Sequence, residues 1–232
     1  MNQDYSYSYS QNSSYRDFLT KVFSIVALGL AVSGVVSYFG LSIMISLLMS
    51  SAGLAVIIGS FILEIAIVIY MNTRIMKISK TTAYICFFIY AILNGMNLSI
   101  ILIEYTFASC IYVFGITTLL FICMAIISHS TNLDLTKHGT LIFGGLITLV
   151  IASIVNIFLR SSMFEWIITI AGIIIFLVLV AFDMQKLRNI YNQTFTDSEL
   201  SEKMGIIGAL ELYLDFINLF LRILRLFGNR RD

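Results

Sequence analysis

Two aspartates stand in segments of this chain that are otherwise built for hydrocarbon. Asp183 lies near the end of a long apolar run, in FLVLVAFDMQK, and Asp215 lies in the middle of the last run, in LYLDFINLF. A charged side chain at the centre of a bilayer costs about 2.5–3.5 kcal/mol, so such a residue usually faces a partner or water. Carboxylates in that position are suited to holding a proton or to binding a hard cation such as Ca²⁺.

Two further charged residues need the same explanation. Glu64 stands in SFILEIAIVIY, whose flanks are wholly apolar, and we expect it to be buried and to face other helices. Arg74 begins a basic loop, and it is either a cytoplasmic anchor or the partner of an acid. Asp183 has an alternative too: because Lys186 follows three residues later, Asp183 could be an interfacial carboxylate in headgroup water.

The last apolar run carries a polar stripe. Its polar residues follow one another in steps of four, three, four and three, which places them on one face of a helix: Glu211, Asp215, Asn218, Arg222 and Arg225. Leucine and isoleucine occupy the opposite face: Leu210, Leu214, Ile217, Leu221 and Leu224. A helix lying on the membrane surface would show the same pattern. Six other spans are available to surround this helix, so we predict a central position for it.

Asparagines add to the polar residues within the apolar runs. Asn94 and Asn97 occur in AILNGMNLSI, where they either bond neighbouring helices or line a wet pathway, and we favour the structural role. Together with Glu64, Glu211 and Asn218, they are the candidate residues of an ion pathway.

The composition excludes several classes of protein. Of 232 residues, 59% are hydrophobic and only 12% are charged, about half the charged fraction that a soluble domain uses. The net charge of +1 gives no reason to expect a nucleic-acid partner. No nucleophile motif, phosphate loop or zinc spacing occurs, so we expect no enzyme and no cofactor. An intramembrane aspartyl protease would need Gly-x-Gly-Asp, which LYLD does not match.

The apolar runs predict seven membrane-spanning helices, since a span needs about 20 apolar residues. They are Val22–Phe39, Leu54–Tyr70, Thr81–Ile103, Cys110–Ser128, Leu141–Leu159, Ile167–Phe182 and Gly205–Phe227. The short run Leu41–Gly53 is expected to lie at the interface or to extend its neighbours. Residues 1–20 are predicted to form a polar flexible tail, and residues 21–232 a single seven-helix membrane domain.

Charges in the loops predict the orientation. Basic residues collect in alternate connections: Arg16, Lys21, Arg74, Lys77, Lys80, Lys137, Lys186, Arg188 and Lys203. The positive-inside rule therefore places the N-terminus in the cytoplasm. The C-terminal arginines break this pattern, and the last run either crosses the membrane or re-enters it; we favour a crossing. The short tails suggest a bacterial plasma membrane.

Four segments resemble the transmembrane Bax inhibitor motif (Bax-inhibitor-like) family, in its bacterial branch. GALELYLDFINLFLRILRLFG is similar to the C-terminal signature of that family almost residue for residue, and AFDMQKLRNIY resembles its Tyr-Asp-Thr-Gln stretch. MNTRIMKIS and LIFGGLITLVIASIVNIFL resemble its basic loop and fifth helix. Phe182 and Met184 depart from the family by replacing the Tyr and Thr beside Asp183, which removes two hydroxyl groups.

The resemblance implies an all-α integral membrane protein in which six helices enclose a central C-terminal helix. It also implies a pH-sensitive passive calcium leak gated around Asp183 and Asp215, with Arg74 helping to hold the closed form. If the two carboxyl groups meet away from water, both cannot ionise cheaply, and they are expected to share one proton. Ca²⁺ would bind the same two aspartates transiently and compete with that proton.

Two other functions stay open. Buried acids in the last two spans would also serve a proton-coupled cation transporter that exchanges Ca²⁺ for H⁺. The third hypothesis is a membrane-embedded regulator of stress or cell death that acts through protein partners, whose identity is unknown. The expected surroundings are the lipid bilayer, calcium ions and protons, and we expect a monomer.

Overall fold

The computed structural model describes the backbone of residues 2–131 and 133–231, and the side chains from Ser14 onward within these ranges. This part of the chain contains helices and no strand. The α-helices are α1 (Asn2–Phe39), α2 (Leu41–Leu48), α3 (Gly53–Arg74), α4 (Lys80–Glu104), α5 (Phe107–Ser130), α6 (Gly139–Leu159), α7 (Ser162–Thr194) and α8 (Ser198–Phe227). A 3-10 helix, Leu135–His138, precedes α6.

Seven of these helices are long and apolar enough to cross a membrane, and α2 is the short remaining one. The shortest of the seven α-helical segments, α6 with 21 residues, is about 32 Å long at 1.5 Å per residue, which matches the hydrocarbon core. The predicted all-α membrane fold with seven spans is thereby confirmed. The run at 41–53 is partly helical, as α2, and is too short to span.

The spanning helices differ in how much of their surface is buried within the protein. In the most apolar stretch of α3 only 11% of the residues are buried within the protein, so most of its apolar surface is left for acyl chains. The corresponding share in α8 is 72%, the largest of the seven. A helix with a polar stripe needs this protection, because unpaired polar groups are costly in hydrocarbon.

The chain folds into two compact units. The first contains residues 1–101 and 189–210, which include α1 to α3, most of α4, the end of α7 and the beginning of α8. Within it, α1 and α4 approach closely, because Ser33 donates a hydrogen bond of 2.7 Å to the carbonyl oxygen of Ala91. A Cβ atom at Gly95 would lie 2.8 Å from the carbonyl oxygen of Ser33, so this crossing requires a glycine.

The last residues of the predicted N-terminal tail, residues 14–20, are helical. The backbone is helical from Asn2, and the last residues of the predicted tail are packed against other helices. Tyr15 and Phe18 contact the ring of Tyr191 at centroid distances of 5.1 Å and 5.3 Å, and Phe18 is buried. Aromatic burial at the start of α1 extends the folded region, a contribution that the polar composition of the segment does not reveal.

The second unit contains residues 102–188 and 211–232, which include α5, α6, most of α7 and the rest of α8. Phe216 of α8 packs against Phe114 and Phe121 of α5, with ring centroids 5.1 Å and 5.6 Å apart. The prediction of one membrane domain from residue 21 stays a prediction.

The end of the chain folds back onto the connection between α4 and α5 within the second unit. The amide of Thr106 donates to the carbonyl oxygen of Asn229 at 3.1 Å, and the amide of Arg231 donates to that of Glu104 at 2.9 Å. Arg230 adds an ion pair with Glu104 at 3.1 Å. Since α8 is continuous over 30 residues, the last run favours a full crossing over a re-entrant loop.

This arrangement predicts on which side of the membrane the C-terminus lies. In a chain without its native cysteines, Asn229→Cys and Glu104→Cys should react with an impermeant thiol reagent from one side, and Leu133→Cys from the other. The reason is that α5 crosses between the two connections. The extent of labelling in intact and in opened vesicles shows on which side of the membrane each cysteine lies. Labelling of Asn229→Cys from the same side as Leu133→Cys would contradict the arrangement.

Candidate proton and cation site

The two aspartates meet within the second unit. Asp183 comes from α7 and Asp215 from α8, each side chain is only 6% exposed, and their carboxyl groups lie within hydrogen-bonding reach of each other. An ionised carboxylate can only accept hydrogen bonds, so a bond between two carboxyl groups requires one proton. The second oxygen of Asp215, Oδ2, is buried and has no hydrogen-bond partner among the described residues.

The end of α7 makes this meeting possible. The apolar pattern predicts that the sixth span ends at Phe182, which would leave Asp183 at the edge of the membrane. The helix in fact continues to Thr194, and Asp183 lies well inside it. Hydropathy marks the edge of the hydrocarbon, whereas α7 continues as a helix beyond that edge because Leu187 and Tyr191 remain buried.

A lysine and a glutamate form an ion pair near the two aspartates. Lys186 Nζ lies 2.6 Å from Glu211 Oε1, and both side chains are partly buried. Both also act electrostatically on Asp183 and Asp215, with opposite signs. Glu211 stands one helical turn before Asp215, and Lys186 stands one turn after Asp183, so each reaches the pair from its own helix. With one shared proton, three carboxyl groups and one ammonium group leave a net charge of about −1.

The backbone of α7 around Asp183 is anchored to its surroundings within the same unit. Ser128 of α5 donates a hydrogen bond of 2.6 Å to the carbonyl oxygen of Ala181. Gln185 accepts a hydrogen bond from the amide of Leu135 and donates one to the carbonyl oxygen of Leu133, both at 2.8 Å. These three bonds attach α7 to the end of α5 and to the segment before α6. They limit how far Asp183 can move without breaking polar contacts.

Phe182 has an apolar role in this structure. Its ring lies edge-on to that of Phe143 in α6, with centroids 5.8 Å apart, and a Cβ atom at Gly139 would lie only 3.2 Å from it. An aromatic ring at this position therefore packs α7 against α6. Met184 is buried as well.

The connection beside Gln185 contains an exposed acid that does not take part in the proton-sharing pair. Hydrogen bonding from the Thr136 hydroxyl, with further help from Lys137, holds the pKa of Asp134 below its ordinary value. A lowered pKa keeps this carboxylate ionised at neutral pH and confines its titration to more acidic conditions. Asp134 is therefore a suitable reference for acids that respond near neutrality.

Glu64 belongs to a separate polar cluster in the first unit. Its side chain is 5% exposed, and it accepts hydrogen bonds from Asn97, at 2.8 Å, and from Asn94. Ser60 donates in turn to the Oδ1 atom of Asn97 at 2.9 Å. Both asparagines thus bond α4 to α3, which supports the structural role favoured from the sequence.

Asn97→Leu should lower the stability of the protein, because it removes a hydrogen bond to a buried acid. We expect a loss of about 2 kcal/mol, and for Ser60→Ala, which removes one neutral bond, about 1 kcal/mol. Thermal unfolding in detergent measures both changes. Equal stability of Asn97→Leu and the unmodified protein would show that this bond does not stabilise the fold.

Two predicted residues remain, one on α8 and one on α3. Asn218 lies on the same face of α8 as Asp215, but its side chain donates a hydrogen bond of 2.8 Å to the carbonyl oxygen of Leu214 on its own helix. Arg74 is exposed in the last turn of α3, in the first unit. Its role as a partner of the closed form stays a prediction.

The described residues contain no group of three or more His, Cys, Asp or Glu side chains placed to hold a metal ion. Asp183 and Asp215 remain the predicted ligands of a transient Ca²⁺. Sequence reasoning did not foresee the ion pair of Lys186 with Glu211 or the bonds of Gln185. The spacing of Lys186 from Asp183 and of Glu211 from Asp215 placed each on the correct helix face, but gave no partner across the two helices.

Known protein sequences resemble this chain over most of its length. A sequence profile for the family described as inhibitor of apoptosis-promoting Bax1 matches residues 15–232. The inner membrane protein YbhL of Escherichia coli K12 is 37% identical over 215 residues, which cover 92% of each chain. An uncharacterized protein of Rickettsia prowazekii is 40% identical over 217 residues, which cover 94% of this chain and 91% of the relative. The profile includes α3 to α8 and both aspartates of the buried pair, and we conclude that this chain is a membrane protein of the Bax-inhibitor family.

Proposed function

We propose that this protein is a pH-sensitive passive calcium leak channel, gated by the proton that Asp183 and Asp215 share. The observation that carries the proposal is the close approach of these two buried carboxyl groups. A hydrogen bond between them would link α7 to α8 inside the second unit, and it would depend on a proton. The proton concentration therefore controls whether this hydrogen bond forms.

The proposed closed state is the arrangement with one proton between the aspartates. Loss of this proton leaves two negative charges close together where water is scarce, and their repulsion favours separation of the carboxyl groups. Glu211 adds to the repulsion, and the ammonium group of Lys186 reduces it. Opening is therefore expected to become easier as the pH rises.

We propose that Ca²⁺ binds to the oxygen atoms of the same two carboxyl groups. Ca²⁺ prefers carboxylate and carbonyl oxygens, and the unpartnered Oδ2 atom of Asp215 is available to a cation. Protonation removes a ligand charge, so Ca²⁺ and H⁺ compete and acid lowers the flux by both routes. Arg74, Glu64, Asn94, Asn97 and Asn218 are further candidates for the gate or the pathway.

The test is calcium flux into vesicles that contain the purified protein, from about pH 5 to about pH 8. We expect a flux that runs down the calcium gradient alone and increases with pH. Absence of calcium flux above that of empty vesicles throughout this range would refute the proposal.

A proton-coupled cation transporter is the second candidate, since a proton-sharing pair would also serve exchange of Ca²⁺ for H⁺. An imposed proton gradient separates the two functions. When the pH at the aspartate pair is kept constant, a leak carries calcium at the same net rate with or without a proton gradient. An exchanger uses the proton gradient to move calcium against the calcium gradient. Calcium accumulation driven by protons would favour the transporter.

The setting of this activity is also part of the proposal. We place the protein in a bacterial plasma membrane with a cytoplasmic N-terminus, acting as a monomer without a resident cofactor and without enzymatic activity. A role as a regulator through protein partners is the remaining alternative, and pull-down with shortened termini tests it.

A further inference from the structure

Arg222 is an arginine inside the membrane-spanning part of α8, and one of its guanidinium nitrogens, Nη1, has no hydrogen-bond partner among the described residues. Its side chain is partly buried, and its Nη1 atom is fully buried without a partner in the described part of the chain. The guanidinium group lies against α7 at Gly172. A Cβ atom at that glycine would be 3.0 Å from Nε and 3.2 Å from Cζ of Arg222, so the glycine leaves room for the charged group.

The acids at this end of the second unit pair with other arginines. Glu165 pairs with Arg225 at 3.7 Å, and Glu104 pairs with Arg230 at 3.1 Å. A guanidinium group stays charged at physiological pH. Arg222 therefore adds a positive charge that no described carboxylate neutralises by direct contact.

Arg222 and Asp215 share one face of α8. They are seven residues apart with Asn218 between them, which is about 10.5 Å along the helix axis. They also provide the two buried side-chain atoms without partners, Oδ2 of Asp215 and Nη1 of Arg222, among the described residues. A cation that moves between Asp215 and the C-terminal end of α8 along this polar face passes the guanidinium group.

We propose that Arg222 is a specificity-determining residue of this pathway, a fixed positive charge that opposes Ca²⁺ more strongly than it opposes K⁺. The inference rests on the proposed cation leak and adds the selectivity of that leak. Electrostatic repulsion scales with the charge of the ion. At about 10 Å and an effective dielectric constant of about 20, it lowers the occupancy of Asp215 about fifteenfold for a monovalent cation and about two-hundredfold for a divalent one.

Water and salt reduce this difference, so we expect the measured change to be smaller. In vesicles loaded with indicators for both ions, Arg222→Gln should raise the ratio of Ca²⁺ to K⁺ flux about fivefold. Arg222→Lys keeps the charge and should change the ratio less than about twofold. Arg188→Gln is the matched control, because Arg188 is an exposed arginine on α7.

The outcomes distinguish the inference from the proposed function. If the unmodified protein conducts calcium and Arg222→Gln leaves the ratio unchanged, the inference is wrong and the leak stands. The inference is also wrong if Arg222→Lys changes the ratio as much as Arg222→Gln. Calcium flux only in Arg222→Gln would refute the leak in the unmodified protein and support the role of Arg222. Absence of flux in every variant would refute both.

Thermal unfolding gives a second measurement that does not depend on flux. Because an unpaired buried charge destabilises a fold, Arg222→Met should raise the melting temperature by about 2–4 °C. Arg188→Met, at an exposed position, should leave it unchanged within about 1 °C. A melting temperature of Arg222→Met below that of the unmodified protein would show that the guanidinium group has a stabilising partner, and would overturn the inference.

Discussion

Calcium flux through Asp215→Asn and through Asp183→Asn should become almost independent of pH. In the unmodified protein, opening that releases one proton changes the flux up to about tenfold per pH unit on the acidic side of the midpoint. An asparagine cannot release a proton, but its amide group can donate a hydrogen bond to the remaining carboxylate. We therefore expect a low flux that varies less than about twofold between about pH 5 and about pH 8.

The matched control for these variants is Asp134→Asn. Hydrogen bonding from Thr136 holds the pKa of Asp134 below its ordinary value, and this exposed carboxylate stays ionised at neutral pH. Its replacement should leave the pH profile of flux unchanged. Unmodified profiles in both Asp183→Asn and Asp215→Asn, with correctly folded protein, would rule out the shared proton as the gate.

Replacement of the charges beside the pair should shift the pH profile in opposite directions. Lys186 stabilises the ionised form of the aspartates, so Lys186→Met should move the midpoint of calcium flux about one unit toward higher pH. Glu211 destabilises the ionised form, and Glu211→Gln should move the midpoint by a similar amount toward lower pH. Flux measured at closely spaced pH values in vesicles gives both midpoints.

The double variant tests whether these shifts arise from charge. Lys186→Met with Glu211→Gln removes both members of the ion pair, so their opposite effects on the aspartates should largely cancel. We expect its midpoint within about half a unit of that of the unmodified protein. A shift of both single variants in the same direction would indicate a change in helix packing and would contradict the electrostatic account.

The positions of the spans could be predicted because the bilayer acts on each helix separately. A stretch of apolar residues long enough to cross the hydrocarbon is stable there without regard to its neighbours, so α3 to α6 begin and end close to the predicted residues. The polar stripe of α8 could also be predicted, since its spacing is a property of one helix. The high burial of α8 agrees with that prediction.

Helix ends beyond the hydrocarbon were harder to predict. Hydropathy falls after Phe182, but α7 continues to Thr194, and α1 begins far before Val22. In both places the additional turns are stabilised by tertiary contacts, such as those of Tyr15 and Phe18 with Tyr191. Such contacts join residues that are far apart in the chain, and no local pattern records them.

The amino-acid sequence established a seven-helix membrane protein, its family resemblance and the identity of the acids that need an explanation. Tertiary structure was needed to show which polar groups are paired: Asp183 with Asp215, Lys186 with Glu211, and Glu64 with its two asparagines. It was also needed to show that the Nη1 atom of Arg222 is buried without a hydrogen-bond partner among the described residues. Periodicity specifies the face of a helix on which a residue lies, whereas pairing depends on the register and rotation of one helix against another, which the packing of all their side chains determines together.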